Sequence, residues 1–190
     1  MRRNRARGRA PAADGDAWIF AYGSLMWRPG FEFRERRPAL LRGYHRALCV
    51  YSFIYRGTKE VPGLVLGLDR GGACKGLAYR VAAADREAVI AYLDAREHSH
   101  DVYHARWLSV RLDDGRRVPA YSFVANRQGA QYAGRQPRDR ILSLLRAGRG
   151  EQGTALEYLE NTVRHLDGLG IPDGPLHRFL EEATSSSTAP

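Results

Sequence analysis

The order in which hydrophobic periodicities follow one another limits this chain more than any single motif. Short strand-like apolar runs come first, at residues 17–22, 39–53, 64–68 and 76–81. The 39–53 run reads as one bent strand or two consecutive strands, interrupted near Gly43. Asp69-Arg70-Gly71-Gly72 has the composition of a hairpin turn, which makes 76–81 the return strand. The period then changes over 84–96, where Val89, Tyr92, Leu93 and Arg96 share one helical face. A second hairpin follows, from Trp107 to Leu112, through Asp113-Asp114-Gly115, and back along Val118 to Val124. Helical spacing takes over at 138–147, 154–168 and 175–183. Strands and hairpins first, with helices inserted and appended, is an α+β pattern and not an alternating one.

A chain of 190 residues is long enough to bury a core without metals or disulfides. Residues 17–183 read as a single domain, 1–16 as a disordered arginine-rich tail and 184–190 as a frayed Ser/Thr tail. The net charge of +9 is a nucleic-acid signal only until it is located. Arg2, Arg3, Arg5, Arg7 and Arg9 lie in the tail, and the remainder is spread thinly. Only Lys59 and Lys75 among the basic residues are lysine, so the arginine excess reads as coding bias and not as a recognition surface. No basic stripe with interleaved aromatics and no nucleic-acid module is readable, so no specific nucleic-acid partner is expected. No run has the length of a membrane span, and no apolar segment follows the basic start as a signal peptide requires. Cys49 and Cys74 lack metal or redox spacing and read as buried small hydrophobes in a cytoplasmic protein.

Two features carry chemistry. In Trp18-Ile19-Phe20-Ala21-Tyr22-Gly23-Ser24-Leu25 an apolar strand stops at a glycine followed by a hydroxyl residue. Glycine allows a bend and a close ligand approach, and turn amides can cradle a carboxylate. Ala95-Arg96-Glu97 places an acid where a helical pattern ends, an unfavourable position for a carboxylate next to the helix dipole. Other signals have simpler readings. Gly148-Arg149-Gly150-Glu151-Gln152-Gly153 matches a dinucleotide fingerprint, but a helix and not a strand precedes it, so it reads as a glycine-rich helix–helix connection. Glu97, His98, His100 and His104 are residue types that bind zinc or iron, but no one periodicity aligns them, and a polar loop is the better reading. Ser24 lacks a nucleophile elbow and triad partners, which leaves it as a ligand-binding hydroxyl.

Together these segments resemble the ChaC-type γ-glutamylcyclotransferases, from Trp18 to about Leu180. Tyr22-Gly23-Ser24-Leu25 matches the family's substrate loop, and Tyr92-Leu93-Asp94-Ala95-Arg96-Glu97 the segment ending in its catalytic glutamate. Arg56-Gly57 with Pro62-Gly63, Asn126 to Gly134 with Tyr132, and Gly153-Thr154 to Leu159 match further segments. The chain departs from the family in His98-Ser99-His100-Asp101-Val102, which precedes Tyr103. The resemblance implies a small mixed barrel-like sheet flanked by helices. It implies Glu97 as general acid and base, and Ile19, Phe20, Ala21, Tyr22, Gly23, Ser24, Leu25 and Tyr132 as substrate-binding residues. The implied substrate is glutathione or another γ-glutamyl compound, cleaved to 5-oxoproline without metal or organic cofactor by a monomer or weak homodimer. A non-catalytic ligand-binding protein is the alternative from a different class.

Overall fold

The computed structural model describes residues 10, 12, 15–97 and 101–185. The expected N-terminal tail lies mostly, and the C-terminal tail largely, outside the described residues. Contacts divide the chain into two compact units, Met1–Ala47 with Gly67–Gly129 and Leu48–Leu66 with Ala130–Pro190.

A closed barrel is built from strands β1 (Ala17–Ala21), β2 (Glu35–Ser52), β3 (Gly63–Val81), β4 (Tyr103–Leu112) and β5 (Arg117–Ala125), in the order β1-β3-β2-β4-β5. The sheet is mixed: β1 runs antiparallel to β3 and parallel to β5, pairing Trp18 with Ala120 and Ile19 with Tyr121. The expected barrel-like α+β architecture is therefore the one observed. Strand alternation directs Trp18 and Phe20 into a core that includes Leu41, Leu68, Leu108 and Val110, and Tyr22 packs against it. Helix α1 (Arg86–Glu97) follows a 3-10 turn at Ala83–Asp85 and buries Val89 and Leu93. Tyr92, from the same expected face, is 39% exposed.

Asp16 ties the start of β1 to the approach of α1. Its carboxylate accepts hydrogen bonds from the Ala83 amide at 3.0 Å and from Arg80 Nε at 2.8 Å. Burial opposes ionisation there, but the amide and the Arg80 guanidinium outweigh it and hold the carboxyl below its ordinary range.

One expectation is overturned. Asp69–Gly72 does not reverse the chain, because β3 continues through it. Gly71 and Gly72 adopt φ values of 101° and 64°, and glycine reaches that region without steric cost, so the pair bends one long strand. The Gly71 carbonyl lies 3.2 Å from His45 Nδ1 on β2. Gly43, with φ 90°, sits inside a continuous β2, which supports the one-bent-strand reading of that run.

In the second unit, α2 (Arg138–Ala147), α3 (Ala155–Gly168) and α4 (Gly174–Ser185) pack on one another. Arg146 Nη2 donates to the Glu182 carbonyl at 2.6 Å. A two-stranded ribbon, β6 (Arg149–Gly150) and β7 (Gly153–Thr154), joins α2 to α3. The glycine-rich segment is thus a helix–helix connection, as expected. Thr154 and Glu157 cap α3 reciprocally. Arg56 donates to the Thr154 carbonyl at 3.4 Å and lies over the Tyr158 ring. Cys49 and Cys74 are buried, as read from the sequence.

Candidate active site

The loop that follows β1 grows directly out of the barrel. Ile19, Phe20 and Ala21 are fully enclosed, so their side chains belong to the core that carries the loop. Ser122 Oγ on β5 donates to the Phe20 carbonyl at 2.8 Å. Past Tyr22 the strand gives way to a 3-10 turn, Ser24–Met26, preceded by Gly23. The amides of Met26, Trp27 and Arg28 are used inside this turn, on the Gly23 and Ser24 carbonyls. Leu25 and Met26 are buried, whereas Tyr22, Gly23 and Ser24 are partly exposed.

Two buried side chains hold the loop's carbonyls. Arg46 on β2 donates from Nε to the Tyr22 carbonyl at 2.6 Å and from Nη2 to the Lys75 carbonyl at 2.8 Å. The Tyr79 hydroxyl on β3 donates to the Met26 carbonyl at 2.6 Å. Charge-assisted bonds to a guanidinium are stronger than neutral ones, so the Tyr22 end is held firmly. A Cβ added at Gly23 would meet no atom within 4 Å. With φ at −133°, a turn conformation does not account for glycine here; what it provides is open space above the backbone.

Helix α1 carries the candidate glutamate. Glu97 is its last residue and its side chain is 21% exposed. Arg96 Nε lies 3.4 Å from Glu97 Oε1, and Arg96 Nη2 donates to Ser24 Oγ at 3.1 Å. One guanidinium, 72 residues from Ser24 in sequence, therefore lies against both Ser24 and Glu97. The helix is fastened to the barrel by Tyr121 on β5, whose hydroxyl donates to Asp94 Oδ1 at 2.6 Å. Burial, reinforced by the Asp94 carboxylate, pushes the Tyr121 hydroxyl far above its ordinary value, so it remains a donor at any physiological pH. Asp94 and Glu97 lie three residues apart, neighbours on the helix surface.

Tyr132 belongs to the second unit. It forms a bridge with Val50 and is flanked by hydrogen bonds from the Tyr51 amide to the Gln131 carbonyl and from the Ala133 amide to the Cys49 carbonyl. His98 and His100 lie outside the described residues. Among the described residues no three His, Cys, Asp or Glu side chains converge as a metal site, and no helix is long and apolar enough to cross a membrane.

Reading the sequence did not single out Arg46, Asp94 or Tyr121. For Arg46 the signal was present: a lone arginine inside the strand Tyr44-His45-Arg46-Ala47-Leu48-Cys49 has to find buried acceptors.

The closed mixed barrel with its inserted and appended helices is a fold shared with solved γ-glutamyl cyclotransferases. A solved yeast structure, described as a γ-glutamyl cyclotransferase specific to glutathione, superposes with a TM-score of 0.80 at 20% identity, covering 90% of this chain and 96% of its own. The family model described as ChaC-like protein matches residues 17–185, and the chain belongs to that family. Its relatives include the glutathione-specific γ-glutamylcyclotransferase of Escherichia coli, 37% identical over 88% of this chain and 72% of the relative. The human glutathione-specific γ-glutamylcyclotransferase 1 is 35% identical over 78% of this chain and 70% of its own length.

Proposed function

We propose that this protein is a γ-glutamylcyclotransferase that cleaves glutathione to 5-oxoproline and cysteinylglycine. The observation that carries the reading is the pairing of the Ser24 loop with Glu97 through Arg96, in a chain whose relatives bear that activity in their names. The α-amine of the substrate's glutamyl group attacks its own γ-carbonyl carbon. A C–N bond closes the lactam, and the C–N bond to the cysteinyl nitrogen breaks. Glu97 takes a proton from the attacking amine and returns one to the leaving nitrogen, so a single carboxylate serves both transfers. The nucleophile is already part of the substrate, and the loop's main task is to hold the glutamyl chain folded. Ser24 and the amides that open the 3-10 turn supply donors for the substrate's carboxylate or for the developing oxyanion. Tyr22 and Leu25 shape the rest of the loop, and Ile19–Ala21 support it. The buried thiols Cys49 and Cys74 support a reducing compartment, the cytoplasm.

The test is mass spectrometry of glutathione incubated with purified protein, beside a panel of other γ-glutamyl amino acids. Equal amounts of 5-oxoproline and cysteinylglycine are expected. Release of free glutamate would show hydrolysis instead, and turnover confined to the other γ-glutamyl compounds would refute the substrate assignment. The open space above Gly23 gives a second expectation. Gly23→Val should leave the melting temperature within a few degrees of wild type, since a Cβ at this position meets no atom within 4 Å. Its KM for glutathione should rise about tenfold or more, because the side chain fills the volume the ligand enters. An unchanged KM would remove the ligand from this face of the loop.

A further inference from the structure

We propose that Arg96 is a positioning residue of this site, which fixes the Ser24 loop for substrate binding. The proposal rests on the reading that this loop and Glu97 carry the reaction. An arginine in the last turn of a helix commonly serves the helix itself, by placing positive charge near the final carbonyls. Arg96 reaches elsewhere. Its Nη1 donates to the Arg28 carbonyl at 3.0 Å and to the Tyr92 hydroxyl at 3.2 Å, and its Nη2 to Ser24 Oγ at 3.1 Å. Its Nε faces Glu97 Oε1 at 3.4 Å.

The two loop contacts bracket the 3-10 turn. Ser24 opens it, and the Arg28 amide closes it on the Ser24 carbonyl at 2.8 Å. One rigid fork therefore grips the turn at its first side chain and at the carbonyl just beyond its last residue. The direction of the Ser24 bond also matters. A hydroxyl has one hydrogen to give, and because Ser24 Oγ accepts from Arg96, that hydrogen is turned away from the guanidinium and toward a ligand acceptor. Lysine cannot reproduce this, since an ammonium is a single point and lacks donors spread over a planar fork.

The experiment is a double-mutant cycle of Arg96→Lys and Ser24→Ala, read as KM and kcat for glutathione, with the melting temperature of each variant. Arg96→Lys should raise KM about tenfold, the effect of losing one hydrogen bond to a charged group, and lower kcat by a smaller factor. The double variant should be less impaired in KM than the product of the two single effects, because both changes remove the shared Arg96–Ser24 bond. Independent, multiplying effects would overturn the proposal, by showing that Arg96 does not act through Ser24. A fall in melting temperature with KM unchanged would overturn it too, leaving only a structural role. If Arg96→Lys does not fold, Ser24→Ala removes the same bond from the other side, and a KM within twofold of wild type would overturn the proposal. Glu97→Gln runs alongside as a control. Wild-type turnover in that variant refutes the underlying site, whereas its inactivity beside an unaffected Arg96→Lys refutes only the role of Arg96.

Discussion

Replacing Glu97 by glutamine is expected to lower kcat for glutathione by about 10²–10⁴ while leaving KM and the melting temperature near wild type. The amide has the shape of the carboxylate but cannot accept a proton from the substrate's α-amine. Ring closure would then have to expel a proton into water and find another acid for the leaving nitrogen. Folding should tolerate the change. Glu97 is the terminal residue of α1, and the helix is held by the buried Val89 and Leu93 and by the Tyr121–Asp94 bond. KM should change little because the loop donors remain, held by Arg46 and Tyr79. Steady-state release of 5-oxoproline is the measurement. Turnover within a few-fold of wild type by a correctly folded Glu97→Gln protein would remove the glutamate from the reaction.

The parts of the fold legible in the sequence are those in which one segment's chemistry is sufficient. The apolar run at 17–22 is β1 with one residue fewer, and the period change at 84–96 is α1 preceded by a 3-10 turn. Misreadings arose where pairing decides. Asp-Arg-Gly-Gly has turn composition, and glycines at positive φ serve a bend in a long strand as readily as a reversal. The difference lies in the neighbours: β3 lies between β1 and β2 in the barrel, and no local window contains them. The start of β2 was missed for a related reason. Glu35, Arg36 and Arg37 look like loop residues, yet Arg37 bonds Glu35 and reaches Asp113 in the β4–β5 turn at 3.1 Å, so charge pairing across the sheet covers the polar strand end.

The same division holds for the site. The candidates Ser24 and Glu97 were legible because each interrupts a local pattern. What joins them was not, because Arg96 to Ser24, Arg46 to Tyr22 and Tyr121 to Asp94 span 72, 24 and 27 residues. Polar groups placed by an apolar barrel and bound to one another at long range leave only a weak mark in sequence, as charged or phenolic residues inside apolar strands.

Phe20→Ala is expected to cost about 3–5 kcal/mol of folding stability, a large part of the roughly 5–15 kcal/mol available to a typical domain. Phe20 is 1% exposed and belongs to the barrel core with Trp18, against which Tyr22 packs. Removing the ring loses its transfer free energy and leaves a cavity that a closed barrel collapses around poorly, since the strand pairs on both sides of β1 fix the wall. The loop itself should survive in molecules that remain folded. Its anchors come from Arg46 and Tyr79 on other strands, and the Phe20 carbonyl still accepts from Ser122. Urea denaturation should show the midpoint falling with little change in slope. Activity per folded molecule should stay within a few-fold of wild type in the cold and collapse on warming. A stability loss below about 1 kcal/mol would show that the barrel interior at β1 is plastic, and would contradict the close packing that supports the Ser24 loop.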